Sequence, residues 1–233
     1  MKKLVKCHLK YIFNKVSLSI YILLSVFLLI MNISIILNVD NRQGIELTYI
    51  SYLNGAFPLC EIIGVFYAII IFSYPFLSKQ DQYILLVINE KYNKNNYYIT
   101  KYLCLIIISC LFVLIEFLIF YIPFLLFSET KYISIKSMKM FMDVFLIYIY
   151  YGNVSLFLII IFDNIYMIMI SLSLYVFSNS LNENYSSINY LIEKILISMN
   201  KEKWCLGCSY PYIVFMILLL FSINYIIYQK KDF

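Results

Sequence analysis

Three places in this chain of 233 residues carry residue types that could do chemistry. Glu116 interrupts an otherwise uncharged apolar stretch from Tyr102 to Phe127. An ionisable side chain in mid-span is costly and faces a protein interior or a water-filled cavity, where such residues line ion and substrate paths. The same carboxyl, protonated and hydrogen-bonded to a neighbouring Tyr or Ser, would instead hold helices together. Both readings stay open. Cys205-Leu206-Gly207-Cys208 has the spacing of a metal half-site or a redox pair. A structural zinc needs four ligands and no second pair is present. That leaves a local disulfide, or two thiols beside the interfacial Trp204. His8 is the single histidine, so a His-pair metal motif is absent, and its position suits the bilayer edge.

Other chemistry finds no footing. A nucleotide-hydrolysing subunit carries a phosphate-cradling loop ending in Gly-Lys, and none of the five glycines here precedes a lysine. The chain reads as a non-enzyme that holds no cofactor. Cys7, Cys60, Cys104 and Cys110 lie in or beside apolar runs, where a free thiol behaves as a small hydrophobe.

The elements that must position these residues are apolar spans. Hydrophobic residues make up 63 % of the chain and charged ones 13 %, against about a quarter charged in a soluble domain. Mean hydropathy is +0.85. Reading from charge to charge gives six spans: Val16–Leu37, Phe57–Leu77, Tyr102–Phe127, Val144–Phe162, Asn164–Asn182 and Tyr210–Tyr228. The first belongs to an uncharged run of 24 residues, longer than a signal-peptide core and without a small-residue cleavage site, so it reads as a retained helix. Between the fourth and fifth spans, Asp163-Asn164 predicts a tight turn, because it leaves two runs of 19 residues. A break at Gly152-Asn153 is the alternative. The fold class is therefore all-α: a polytopic integral membrane protein of about six transmembrane helices, with residues 1–233 forming one domain.

Lysine and arginine set the sides. Eleven of them fall on the side of the N-terminus and seven on the other, and the N-terminal cluster Lys2, Lys3, Lys6, Lys10 and Lys15 weighs most. Both termini are expected in the cytoplasm. Within Lys2–Lys15, Leu4, Val5, His8, Tyr11 and Ile12 recur at helical spacing, which predicts a basic helix lying in the interface. The segment Ser78–Lys101 is a charged loop with an apolar patch, Tyr83–Ile88. Ser186–Lys203 carries an apolar stripe before the last span. Tyrosines at span ends, Tyr97, Tyr98, Tyr121, Tyr225 and Tyr228 among them, are expected at the headgroup level. Lipid headgroups and a partner protein, rather than nucleic acid, are the expected neighbours of the Lys and Tyr residues in Lys91–Lys101.

The stretch Tyr49–Phe127 carries Ser51-Tyr52-Leu53-Asn54-Gly55-Ala56, a span ending Phe72-Ser73-Tyr74-Pro75, and a loop with Lys91-Tyr92-Asn93-Lys94, Tyr97-Tyr98 and Thr100-Lys101. It resembles the permease subunits of bacterial type-2 ABC exporters of the antibiotic and lantibiotic-immunity class. Glu90 and Lys91 stand about where such permeases commonly carry an Arg. The resemblance implies a bacterial plasma-membrane protein that forms a translocation path as a homo- or hetero-dimer of permeases. It also implies a separate ABC ATPase that binds ATP and couples through Lys91, Lys94, Tyr97, Tyr98 and Lys101. A stand-alone immunity or scaffold protein without transport is the other expectation.

Overall fold

The computed structural model describes residues 5–6, 8–9, 15–38, 59, 61–77, 94–127, 135–180 and 210–230. All elements among them are helical. The many Ile, Tyr and Phe residues would favour strands on a half-wet sheet. In an apolar solvent, however, each backbone N–H and C=O must be satisfied within its own segment, and a helix does that.

The helices are α1 (Lys15–Asn38), α2 (Glu61–Phe76, closing in the 3-10 turn Tyr74–Phe76), α3 (Lys94–Phe127), α4 (Ile135–Phe162), α5 (Tyr166–Ser180) and α6 (Tyr210–Lys230). Each falls on one of the six runs read from the sequence. Three stretches are long and apolar enough to cross a membrane: Lys94–Pro123, Phe141–Phe162 and Ile213–Lys230. Tyr21–Ser34, Glu61–Phe76 and Tyr166–Phe177 are shorter apolar helices.

Side-chain contacts fix the relative directions. Tyr21 of α1 meets Phe112 of α3, and His8, ahead of α1, meets Tyr97 at the start of α3, so α1 and α3 run parallel. Glu116 of α3 meets Tyr148 of α4, and Tyr102 meets Asn153, so α3 and α4 are antiparallel. Gly64 of α2 lies on Tyr148 and Ser73 on Ser155, which aligns α2 with α4. Tyr102 meets Phe221 and Lys94 meets Gln229, which sets α6 against α3. Consecutive helices thus alternate in direction. Among the described residues α4 is the central element, packed on α3, α5, α6 and the turn that ends α2.

The connection between α4 and α5 resolves the alternative left by the sequence. Gly152 and Asn153 lie inside one continuous helix, and the chain turns at Asp163-Asn164. Asp163 takes the left-handed conformation (φ 49°) that commonly ends a helix, and its N–H donates to the Ile159 carbonyl at 2.8 Å. Asn164 then caps α5, its Oδ1 accepting the Tyr166 N–H at 3.0 Å. Tyr151 and Tyr175, equidistant from the turn, meet edge to face with centroids 4.9 Å apart, as a hairpin of helices requires.

Gly152 is needed for close approach, since a Cβ there would lie 2.7 Å from the Phe72 ring. The outer face of α3 is an exposed apolar stripe, Leu103, Ile107, Leu111, Leu114, Leu118 and Ile122, which suits contact with acyl chains.

Replacing the cap, Asn164→Ala, is expected to lower stability by about 1 kcal/mol. Asp163→Gly, which relieves the left-handed backbone, should cost nothing. Thermal unfolding of the purified chain in detergent measures both.

Candidate functional site

Glu116 faces inward from α3 and is 1 % exposed. The Tyr148 hydroxyl of α4 donates to its Oε2 at 2.6 Å, a distance typical of a charge-assisted or strong O–H···O bond. This pairing is possible because residue 64 is glycine: a Cβ on Gly64 would overlap the Tyr148 phenol. Around the pair, Tyr21, Tyr67, Phe112 and Tyr148 form a set of rings. Centroids are 5.0 Å apart for Tyr21–Phe112, 4.6 Å for Tyr67–Phe112 and 6.0 Å for Phe112–Tyr148. Tyr21 lies within electrostatic reach of Glu116 and beside Ser25. Yet Glu116 Oε1, Tyr21 Oη and Ser25 Oγ are buried without a properly formed hydrogen bond to any described residue.

A second polar group joins three helices toward the α3 N-terminus. Asn153 of α4 is fully buried. Its amide lies 2.8 Å (Nδ2) and 3.1 Å (Oδ1) from the Tyr102 hydroxyl of α3, and Nδ2 also donates to the Ile149 carbonyl at 2.8 Å. Its own backbone carbonyl accepts from Asn224 Nδ2 of α6 at 3.1 Å. Ser73 and Ser155 pair their hydroxyls nearby, tying in α2.

The end of the bundle that gathers the start of α3, the end of α2 and the end of α6 is aromatic and cationic. Here the structure corrects the sequence reading, which placed Lys94–Lys101 in a loop. These residues are the first two turns of α3. Tyr97, Tyr98 and Lys101 are fully buried rather than displayed at a headgroup or loop surface. Lys101 Nζ lies 4.1 Å from the Phe76 ring centroid and 5.2 Å from that of Tyr97, which gives a desolvated ammonium favourable ring faces. Lys94 Nζ donates to the Gln229 carbonyl of α6 at 3.0 Å. Tyr98 packs among Phe76, Tyr102, Phe221, Tyr225 and Tyr228, with centroids 4.9 to 6.3 Å away. The sequence reading expected these tyrosines as an interfacial belt, but Tyr97, Tyr98 and Tyr228 are instead the core of the joint.

The N-terminal segment reaches the same joint. Val5, Lys6, His8 and Leu9 are helical, with Lys6 exposed and His8 1 % exposed. The His8 ring meets Tyr97 edge to face at 4.9 Å, and the Cys104 thiol lies 4.0 Å from the Val5 carbonyl. Burial, and then the positive charge of Lys101, push the imidazole down to about 4.

Among the described residues no three His, Cys, Asp or Glu side chains come together. Lys91, Cys205, Cys208, the Tyr83–Ile88 patch and the Ser186–Lys203 stripe lie outside the described residues. Tyr21, Tyr148 and Asn224 were not singled out from sequence, and Asn153 was weighed only as a helix break. The available signal was a polar side chain inside an uncharged apolar run, notably Tyr21 and Ser25 one turn apart. No family model, curated protein or solved structure matches this chain.

The lowered His8 pKa sets a pH window. The released segment titrates near 6.5 and the docked one near 4, so docking is at full strength above 6.5 and weakens as pH falls from 6.5 towards 4. The protection of residues 5, 6, 8 and 9 against hydrogen exchange, taken relative to the intrinsic rate at each pH, is expected to fall as the pH drops across that window, and His8→Phe should abolish the fall. A pH-independent protection factor in the unmodified chain would contradict the neutral, buried imidazole.

Proposed function

We propose that the chain is a non-catalytic, membrane-spanning subunit of an ATP-driven exporter, crossing the bacterial plasma membrane six times with both termini in the cytoplasm. The observation that carries this reading is the alternation in direction of six apolar helices. An even number of alternating spans returns the C-terminus to the side of the lysine-rich N-terminus. The buried polar side chains between α1, α3 and α4 supply the kind of interior that lines a translocation path.

In this reading two copies, or two related permeases, enclose the path, and a separate ATPase binds at the cytoplasmic end. The segment from Ser78 through Lys91 meets the ATPase. Lys94, Tyr97, Tyr98 and Lys101 act one step behind it, passing movement to α2 through Phe76 and to α6 through Tyr228 and Gln229. Their burial supports this positioning role over direct contact with a partner.

Purification of the C-terminally tagged chain in mild detergent, with mass spectrometry of what accompanies it, tests the proposal. A near-stoichiometric ABC ATPase is the expected result. Recovery of an intact complex that survives the detergent and holds no ATPase would overturn it in favour of a stand-alone immunity or scaffold protein.

A further inference from the structure

Glu116 lies within one of the three stretches apolar enough to cross a membrane, and no Lys, Arg or His among the described residues acts on it. A carboxylate in so apolar a setting, with no fixed counter-charge among the described residues, is neutralised by a proton or another cation. The groups that reach it are phenols, Tyr21 from α1 and Tyr148 from α4, with Ser25 of α1 and Tyr67 of α2 beside Tyr21. Each is an oxygen that can either donate or accept by rotating its O–H bond. Only Oε2 is engaged, by Tyr148. Oε1 has no hydrogen-bond partner among the described residues, and the Tyr21 and Ser25 oxygens, which lie beside each other, form no well-shaped hydrogen bond there either.

We propose that Glu116, with the hydroxyls of Tyr21, Ser25 and Tyr148, forms a binding site for one exchangeable monovalent cation, a proton or an alkali-metal ion. When the occupant is a proton, it bonds to Oε1, and the new O–H donates to the Tyr21 or Ser25 oxygen. Release returns that proton to water and leaves the electron pair on Oε1, whereupon the same hydroxyl turns and donates to the carboxylate. When the occupant is an alkali ion, Oε1 and the two hydroxyl oxygens surround it, as hard cations take oxygen donors. No covalent bond changes. The Tyr148 bond to Oε2 persists in every state, so the carboxyl keeps its place while its charge is neutralised and restored. A cluster able to satisfy both states suits exchange, whereas a bond serving only to join helices would leave no reason for an open carboxyl oxygen with the Tyr21 phenol in its electrostatic reach. The inference stands whether or not the chain works with an ATPase.

Infrared difference spectroscopy of the full chain in lipid discs, stepped in pH and then in NaCl or KCl at fixed pH, reads the site. The expected result is a reversible carboxyl signal that disappears in Glu116→Gln. Its midpoint should move by about one pH unit in Tyr21→Phe, which removes one hydroxyl from the occupant. A midpoint displaced by Na⁺ or K⁺ identifies the alkali ion, and one indifferent to both identifies the proton. A carboxyl signal unchanged by pH and salt in the unmodified chain, or one that survives in Glu116→Gln, would overturn the proposal. If Glu116→Gln fails to fold, Tyr21→Phe decides alone: an unmoved midpoint overturns it.

Discussion

A polar group in the interior of an apolar bundle must find its partners on neighbouring helices, and Asn153 joins three helices at once through its side-chain amide and its backbone carbonyl. Its amide engages Tyr102 of α3 and the preceding turn of α4, and its carbonyl receives Asn224 of α6. Apolar packing alone does not hold helices together in lipid, because the tails are as apolar as Leu. Close approach and hydrogen bonds then choose the register. Here close approach comes from Gly64 and Gly152, which admit Tyr148 and Phe72, and the hydrogen bonds come from Asn153 and Glu116. Sliding α4 by one turn would remove all four features together. Uniformly apolar faces would by themselves tolerate several registers.

The same constraint shapes the end of the bundle where α3 begins. Lys101 is buried, so its ammonium needs a substitute for water, and the faces of Phe76 and Tyr97 supply one. That demand draws the end of α2 against the start of α3. His8 completes the packing as a neutral ring, since burial and the nearby charge of Lys101 both disfavour the imidazolium. The N-terminal segment is thereby fastened to α3, and the tyrosines that gather there bring in the end of α6.

Much of this was legible before any coordinates. Charge-to-charge reading located the six longer helices among the described residues, three of them long and apolar enough to cross a membrane, because an uncharged run in a bilayer has little choice but to be helical. Asp163-Asn164 announced its turn through residue types that tolerate a left-handed backbone and cap the following helix. Glu116 stood out through the cost of its charge. Its partner did not, because Tyr148 lies in a stretch dense with tyrosines, and only the three-dimensional neighbourhood of Gly64 distinguishes it. The start of α3 was placed eight residues late, since Lys94 and Lys101 look like loop residues to any rule that ends a span at a charge. What that rule misses is that a lysine can lie on ring faces inside the bundle.

The account rests on Asn153 as the junction of α3, α4 and α6, and a double-mutant cycle of unfolding free energies in lipid reads that junction directly. Asn153→Leu leaves the Tyr102 hydroxyl buried without its partner, while the backbone carbonyl that receives Asn224 is kept, and should lower stability by about 2 kcal/mol. Tyr102→Phe should then cost nothing more when added to Asn153→Leu, although it is destabilising in the unmodified chain. Additive effects, or an Asn153→Leu chain within about 0.5 kcal/mol of the original, would contradict the junction and leave helix register to apolar packing alone.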